Sequence, residues 1–189
     1  MDNVDLWVQQ AQRGDMTAVQ ALYEHFVGDI FRYTYYRVSS RRDAEDLTAE
    51  VFVKMVEGLP RYRYTGAPFQ AWLYRIANAR VVDFHRRQRR RPEGELSENL
   101  TDTSTRPEES VQHRQELEAL RNALHQLSVD EQTILILRFV ENKSHQEAAE
   151  IMQKTYAGIK ALQHRALKHL AAVLGSEAKV RHYIRGGRS

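Results

Sequence analysis

The chain has 189 residues and no cysteine, which allows one large or two small domains and rules out disulfides, thiolate metal sites and a cysteine redox switch. Its eight histidines suggest no metal site: His164 and His169, five apart, do not stack on one helix face. No apolar run approaches the ~20 residues that cross a bilayer, and the opening MDNVDLWVQQ is acidic where a secretory signal is basic. A cytoplasmic protein with no metal, no cofactor and no membrane insertion is expected.

The net charge of +3 conceals a strong segregation. Acids exceed bases in the first 60 residues, nine Arg stand against the single Asp83 over 61–91, six acids against one Arg over 92–112, and bases again exceed acids beyond. A basic block between two acidic ones marks a surface for a polyanion.

Helical periodicity dominates the chain order. After the start signal Gly14-Asp15, Val19, Leu22, Phe26, Ile30 and Tyr33 recur at three- and four-residue steps. Ala44, Leu47, Val51 and Met55 form a second stripe, opened by Ser40 with Asp43 three residues on in a capping-box pattern. Phe69, Trp72, Leu73 and Ile76 form a third, with Pro68 suited to a first helical position. A helical domain is expected over 1–91. The segment 92–112 is rich in Glu, Ser and Thr and has too little apolar surface to offset its ordering entropy, so it reads as a flexible acidic linker.

A second helical domain is expected over 113–175. Leu117, Leu120, Leu124 and Leu127 make one stripe, Ser128 and Glu131 a capping box before the apolar run 133–140, and Ser144 and Glu147 another before Ala148, Ile151 and Met152. Thr155 caps a last helix with Ile159, Leu162, Ala166, Leu170 and Val173 on one face, closed by Gly175. Residues 176–189 are expected to be a basic, mobile tail. The fold class is all-α, two small helical domains, the second a helix-turn-helix.

Three constellations carry chemistry. On the last helix, Lys160, His164 and Arg165 are left outward near the N-terminal half, where a recognition helix reaches base edges, with Thr155 and Tyr156 at its start. Lys and Arg there can donate to guanine O6 and N7. In RYRYTGAPF, Arg61 and Arg63 alternate with Tyr62 and Tyr64, a pattern suited to stacking unpaired bases. The following helix places Arg75, Asn78, Val82, Arg86 and Arg89 opposite its apolar stripe, a face that can lie along phosphates, and Asp83 reads as an intrahelical partner for Arg86 or Arg87. In DAEDLTAEVFVKMVEG, Asp46, Glu50 and Glu57 face away from the apolar stripe, better suited to a basic protein surface than to DNA.

GDMTAVQALYEHF, DAEDLTAEVFVKM, FQAWLYRIANARVVDFHRRQRRR and LSVDEQTILILRFVENKSHQEAAEIMQKTYAGIKALQHRALKHL together resemble the extracytoplasmic-function sigma factors of bacterial RNA polymerase. The resemblance implies that the helix with Asp43, Asp46 and Glu50 docks on the clamp helices of the polymerase's largest subunit. It implies that Arg61, Tyr62, Arg63 and Tyr64 capture a flipped base of the minus-ten element. Trp72, Arg75, Asn78, Arg80, Arg86 and Arg87 would grip that element's upstream edge. Thr155, Tyr156, Lys160, His164 and Arg165 would read the minus-thirty-five element, with the second domain docked on the flap of the other large subunit. The linker would thread toward the active-site and RNA-exit channels, an anti-sigma protein would hold the chain silent, and the holoenzyme would be associated with the nucleoid. The chain departs from many members in having Ala79 where they place Asn, with Asn78 beside it, and in turning Leu162 inward.

Energetics imply a large partner. Melting about ten base-pair steps costs on the order of 14 kcal/mol, whereas two or three captured bases return about 2–9 kcal/mol. The alternative is a stand-alone helix-turn-helix regulator, which would bind duplex tightly without polymerase. An enzyme is not expected, because no nucleophile–base pair, phosphate loop or metal set is present in the sequence.

Overall fold

The computed structural model describes residues 3–38, 40–90, 111–176 and 180, and side chains of 111–117 are excluded. The first half is a four-helix unit: α1 (Asn3–Gln12), α2 (Met16–Tyr35), α3 (Arg41–Gly58), a short 3-10 turn (Leu59–Arg61) and α4 (Phe69–Arg90). The second half is α5 (Val111–His125), α6 (Val129–Leu135) running into a π-wound turn (Ile136–Val140), α7 (His145–Met152) and α8 (Tyr156–Leu174). No strand occurs among the described residues.

Local chemistry starts these helices where the sequence says. Asp15 accepts the backbone N–H groups of Thr17 and Ala18, and Ser40 accepts that of Asp43. Both capping boxes of the second half are complete, Ser128 with Glu131 and Ser144 with Glu147. α8 begins at a Thr155 cap and ends at Gly175, left-handed at φ 70°. Pro68 lies one residue before α4 rather than inside it, its carbonyl accepting the Ala71 N–H.

Most of the expected apolar positions are core, but the third stripe is rotated: Phe69 and Leu73 are buried with Tyr74, Ala77 and Val81, whereas Trp72 and Ile76 are half-buried and line a cleft. Leu22, Ile30, Tyr33, Ala44, Val51, Met55, Leu73, Ala77 and Val81 have no exposed surface in the first half, nor do Ile134, Ile136, Leu137, Ala148, Ile159 and Ala166 in the second. Thr34 joins α2 to α3, its Oγ1 bridging the Ala44 carbonyl and Thr48 Oγ1. α1 was not separated out by the periodicity above; it buries Val8 and Ala11 and lies on α2, α4 and the 3-10 turn. The expected linker 92–112 falls outside the described residues apart from Val111 and Gln112, which open α5. The expected tail falls outside them apart from Ser176 and Val180, the latter buried.

The two halves pack against each other. α7, the first helix of the helix-turn-helix, lies on α4, and the π-wound turn lies on α2. The seam is polar: Arg32 of α2 donates from Nε (3.2 Å) and Nη2 (3.3 Å) to the Glu141 carboxylate, which also accepts the Tyr74 hydroxyl at 2.9 Å. Arg37, with no exposed surface, donates to Thr133 Oγ1 at 2.7 Å and to Tyr33 Oη at 2.8 Å.

Candidate nucleic-acid interface

The loop between α3 and α4 builds an aromatic, cationic cleft. Tyr62 packs on Trp72 (ring centroids 4.9 Å) and on Phe69 (5.3 Å), so its ring is half-committed to the core. Gln12 of α1 donates from Nε2 to the carbonyls of both Leu59 and Tyr62, each at 2.9 Å, and so pins the loop's path. Arg61, Tyr62, Arg63, Thr65, Trp72, Arg75, Ile76 and Ala79 line an open cleft of about 540 Å³. Tyr64 stands free beside it, 70 % exposed. Arg63 is partly turned back, Nη1 donating to the carbonyls of Pro60 and Tyr62. Burial raises the Tyr62 phenol above its ordinary pKa, so the ring stays neutral and stackable at physiological pH.

Along α4 the expected basic face divides. Arg75 enters the cleft. Arg80 and Arg86 both reach Asp83, at 2.8 and 2.9 Å, so Asp83 holds Arg86 as expected and Arg80 in addition. Arg87 is exposed. Asn78 departs from that face: its Oδ1 accepts Tyr33 Oη at 3.1 Å and faces Arg37 and Thr133 in the seam. A helix turning 100° per residue separates 74, 78, 81 and 85, which face the seam or core, from 72, 75, 76 and 79, which line the cleft. Ala79 is thus on the cleft side.

The second surface is α8. Thr155, Tyr156, Lys160, His164 and Arg165 are all exposed, while Ile159, Leu162, Ala166 and Leu170 are buried. Lys160 Nζ lies 5.8 Å from the Tyr156 ring centroid, and that ring meets His145 edge-on. The Thr155 hydroxyl is occupied by its cap, accepting the Gly158 N–H at 3.1 Å. The turn before α8 is held by Gln153 in the left-handed region (φ 53°) and by Lys154, which pairs with Asp130 at 3.0 Å. His169 pairs with Glu131 at 3.2 Å and lies off the base-reading half of the helix.

A third surface lies between α2 and α3. Tyr23, Val27, Phe31, Phe52, Val53 and Val56 line a mainly apolar groove of about 670 Å³, rimmed by Arg41, Glu45 and Glu57. Asp46 and Glu50 are exposed on α3, two turns and one turn before Val53 on the same face, while Asp43 is half-buried in the first turn. The sequence reading found the acids but not the groove, because Tyr23, Val27 and Phe31 belong to another helix.

Among the described residues, no group of His, Asp and Glu is set to hold a metal ion and no helix is long and apolar enough to cross a membrane. Residues 22–91 match the family described as Sigma-70 region 2, and residues 117–170 match Sigma-70, region 4. The chain is 36 % identical over 174 residues to the ECF RNA polymerase sigma factor BldN of Streptomyces coelicolor, covering 91 % of this chain and 66 % of that protein. It is 33 % identical over 176 residues to the ECF RNA polymerase sigma factor SigD of Mycobacterium tuberculosis, covering 89 % of this chain and 82 % of that one.

The chain belongs to the ECF sigma factors.

Sigma factors direct core RNA polymerase to promoter DNA, and both family segments coincide with the two DNA-suited surfaces described above. Two solved structures share the fold: CnrH in complex with the cytosolic domain of CnrY (TM-score 0.70, 21 % identity, 90 % of this chain and 96 % of that one) and the sigma factor RpoE in complex with the anti-sigma factor NepR from Bartonella quintana (TM-score 0.63, 20 % identity, 82 % and 96 %).

Proposed function

We propose that this sigma factor works through three separate surfaces and catalyses nothing itself. The cleft at Arg61–Thr65 with Trp72 and Arg75 takes an unstacked non-template base of the minus-ten element, with Tyr64 as the free stacking ring. Arg80, Arg86 and Arg87 lie along the adjacent phosphates, and Lys160, His164 and Arg165 on α8 read the minus-thirty-five element. Asn78 acts from behind, orienting Tyr33 and Arg37 rather than touching DNA. The groove between α2 and α3, with Asp46 and Glu50 beside it, docks on the clamp helices of the largest polymerase subunit; its chemistry calls for an apolar ridge flanked by cations on that partner. The protein acts in the cytoplasm, and an anti-sigma protein competes for these surfaces.

The observation that carries this reading is that two cationic, DNA-suited surfaces sit on different halves of one chain and share no residue with the acidic, apolar groove. Adding the chain to core polymerase and a promoter library should yield discrete start sites; random initiation would refute the reading. Asp46→Lys with Glu50→Lys should lower affinity for core polymerase at least tenfold while helical content is unchanged, and an unaltered affinity would remove the groove from the docking surface.

A further inference from the structure

The loop that lines the cleft has little support of its own. Residues 63–66 are exposed, and Gly66 stands in the left-handed region at φ 90°. Among the described residues, no backbone hydrogen bond joins Arg63 through Ala67 to another backbone group. A loop of this kind must be ordered when it takes a base, and that cost is subtracted from what the stack returns.

Its fixed point lies on another helix. Gln12, the last residue of α1, donates from one amide nitrogen to the carbonyls of Leu59 and Tyr62, each at 2.9 Å. An amide nitrogen carries two hydrogens, so both bonds form at once. The two carbonyls bracket the 3-10 turn. That of Leu59 also accepts the Tyr62 N–H at 3.1 Å, and that of Tyr62 also accepts Arg63 Nη1 at 3.0 Å. The knot therefore closes at the residue from which the side chains begin to line the cleft. α1 does not move with the loop. Val8 and Ala11 are buried, Trp7 meets His25 of α2 edge-on with centroids 5.7 Å apart, and the Gly14 N–H closes the helix end on the Ala11 carbonyl at 3.0 Å. The loop belongs to the matched segment 22–91, whereas Gln12 precedes it.

We propose that Gln12 is a positioning residue for base capture: by tying the Leu59 and Tyr62 carbonyls to α1, it sets beforehand the path on which Tyr62, Arg63 and Tyr64 meet an unstacked base. The inference rests on the base-capture reading of the cleft. A ring already in place returns the whole of its stacking, because little freedom remains to be lost on binding.

Gln12→Met keeps the length and volume of the side chain and removes both donors, and Gln12→Lys restores donors at similar reach. Each variant is assembled with core polymerase and titrated with forked promoters, one intact and the others lacking a single non-template base of the minus-ten element in turn. The wild type should bind the intact fork roughly 5- to 150-fold more tightly than the fork lacking the captured base. Gln12→Met should cut that ratio by about threefold or more while binding the base-less fork as the wild type does, and Gln12→Lys should recover it. In the free chain, trypsin should cut after Arg61 and Arg63 several-fold faster in Gln12→Met than in wild type, at an unchanged unfolding midpoint. An unchanged ratio, or a loss shared equally by both forks, overturns the proposal, since a merely structural bond lowers both together. A wild-type ratio of one removes the base-capture reading and the proposal with it, whereas a wild-type ratio that Gln12→Met leaves intact removes the proposal alone.

Discussion

Truncating the two tyrosines of the cleft loop separates base capture from structural support. Tyr64 is 70 % exposed and belongs to none of the ring contacts that knit the core, so Tyr64→Ala should change stability by less than about 0.5 kcal/mol. If its ring stacks an unpaired base, the same change removes about 1–3 kcal/mol of binding, a loss of roughly 5- to 150-fold. Tyr62 differs: it meets Phe69 and Trp72 at 5.3 and 4.9 Å. Each aromatic contact adds about 0.5–1.5 kcal/mol to the lost burial, so Tyr62→Ala should cost about 2–4 kcal/mol of folding stability. For a protein of this size that lowers Tm by roughly 4–16 °C. The assay pairs thermal unfolding of each variant with holoenzyme binding to a forked promoter whose non-template strand is single-stranded across the minus-ten element. The expected pattern is a binding defect without a stability defect for Tyr64→Ala, and both defects for Tyr62→Ala. Wild-type binding by Tyr64→Ala would refute the stacking role of the exposed ring.

Other expectations concern the second DNA surface, the support of the cleft and the pH response. Lys160→Ala and Arg165→Ala should each weaken discrimination at the upstream element by about 1–3 kcal/mol, read as the affinity ratio between consensus and mismatched promoters; an equal loss on both would mark them as phosphate contacts. A Cβ at Gly58 would meet Trp72 Cζ2 at 2.9 Å, so Gly58→Ala should displace the indole at the cleft and cost about 1–3 kcal/mol, seen as a shifted tryptophan emission together with weaker fork binding. Burial first, then Arg121, His85 and Arg37, depress the His125 pKa to about 4. A base whose folded pKa is lowered stabilises the fold above its unfolded value near 6.5 and loses that contribution as pH falls toward the folded value. Between pH 7 and 5 the loss is about 2 kcal/mol unscreened and about 1 kcal/mol for a group partly open to solvent. Burial raises Glu141 and acts in the opposite direction, so the comparison is differential: His125→Gln should flatten the wild-type decline in denaturation midpoint, and parallel curves would refute the assignment.

Helix positions and helix ends were legible in the order of the residues. Asp15, Ser40, Ser128, Ser144 and Thr155 each cap the helix that the apolar spacing announces, because a cap joins atoms two or three residues apart and needs no distant partner. The sequence also placed the α8 cations outward, since one turn angle relates them to the buried Ile159, Leu162 and Ala166.

What lay beyond it is decided across helices. Asn78 has the spacing of a phosphate-facing residue, yet its amide is claimed by Tyr33, 45 positions earlier, and by the seam beyond. The groove beside Val53 exists only because α2 packs against α3, and Gly58 is constrained only by the arrival of Trp72. The pairing of Arg32 with Glu141 joins residues 109 positions apart. Periodicity records which side of a helix avoids water, but not which neighbouring surface meets it; that choice belongs to the packing of the whole chain.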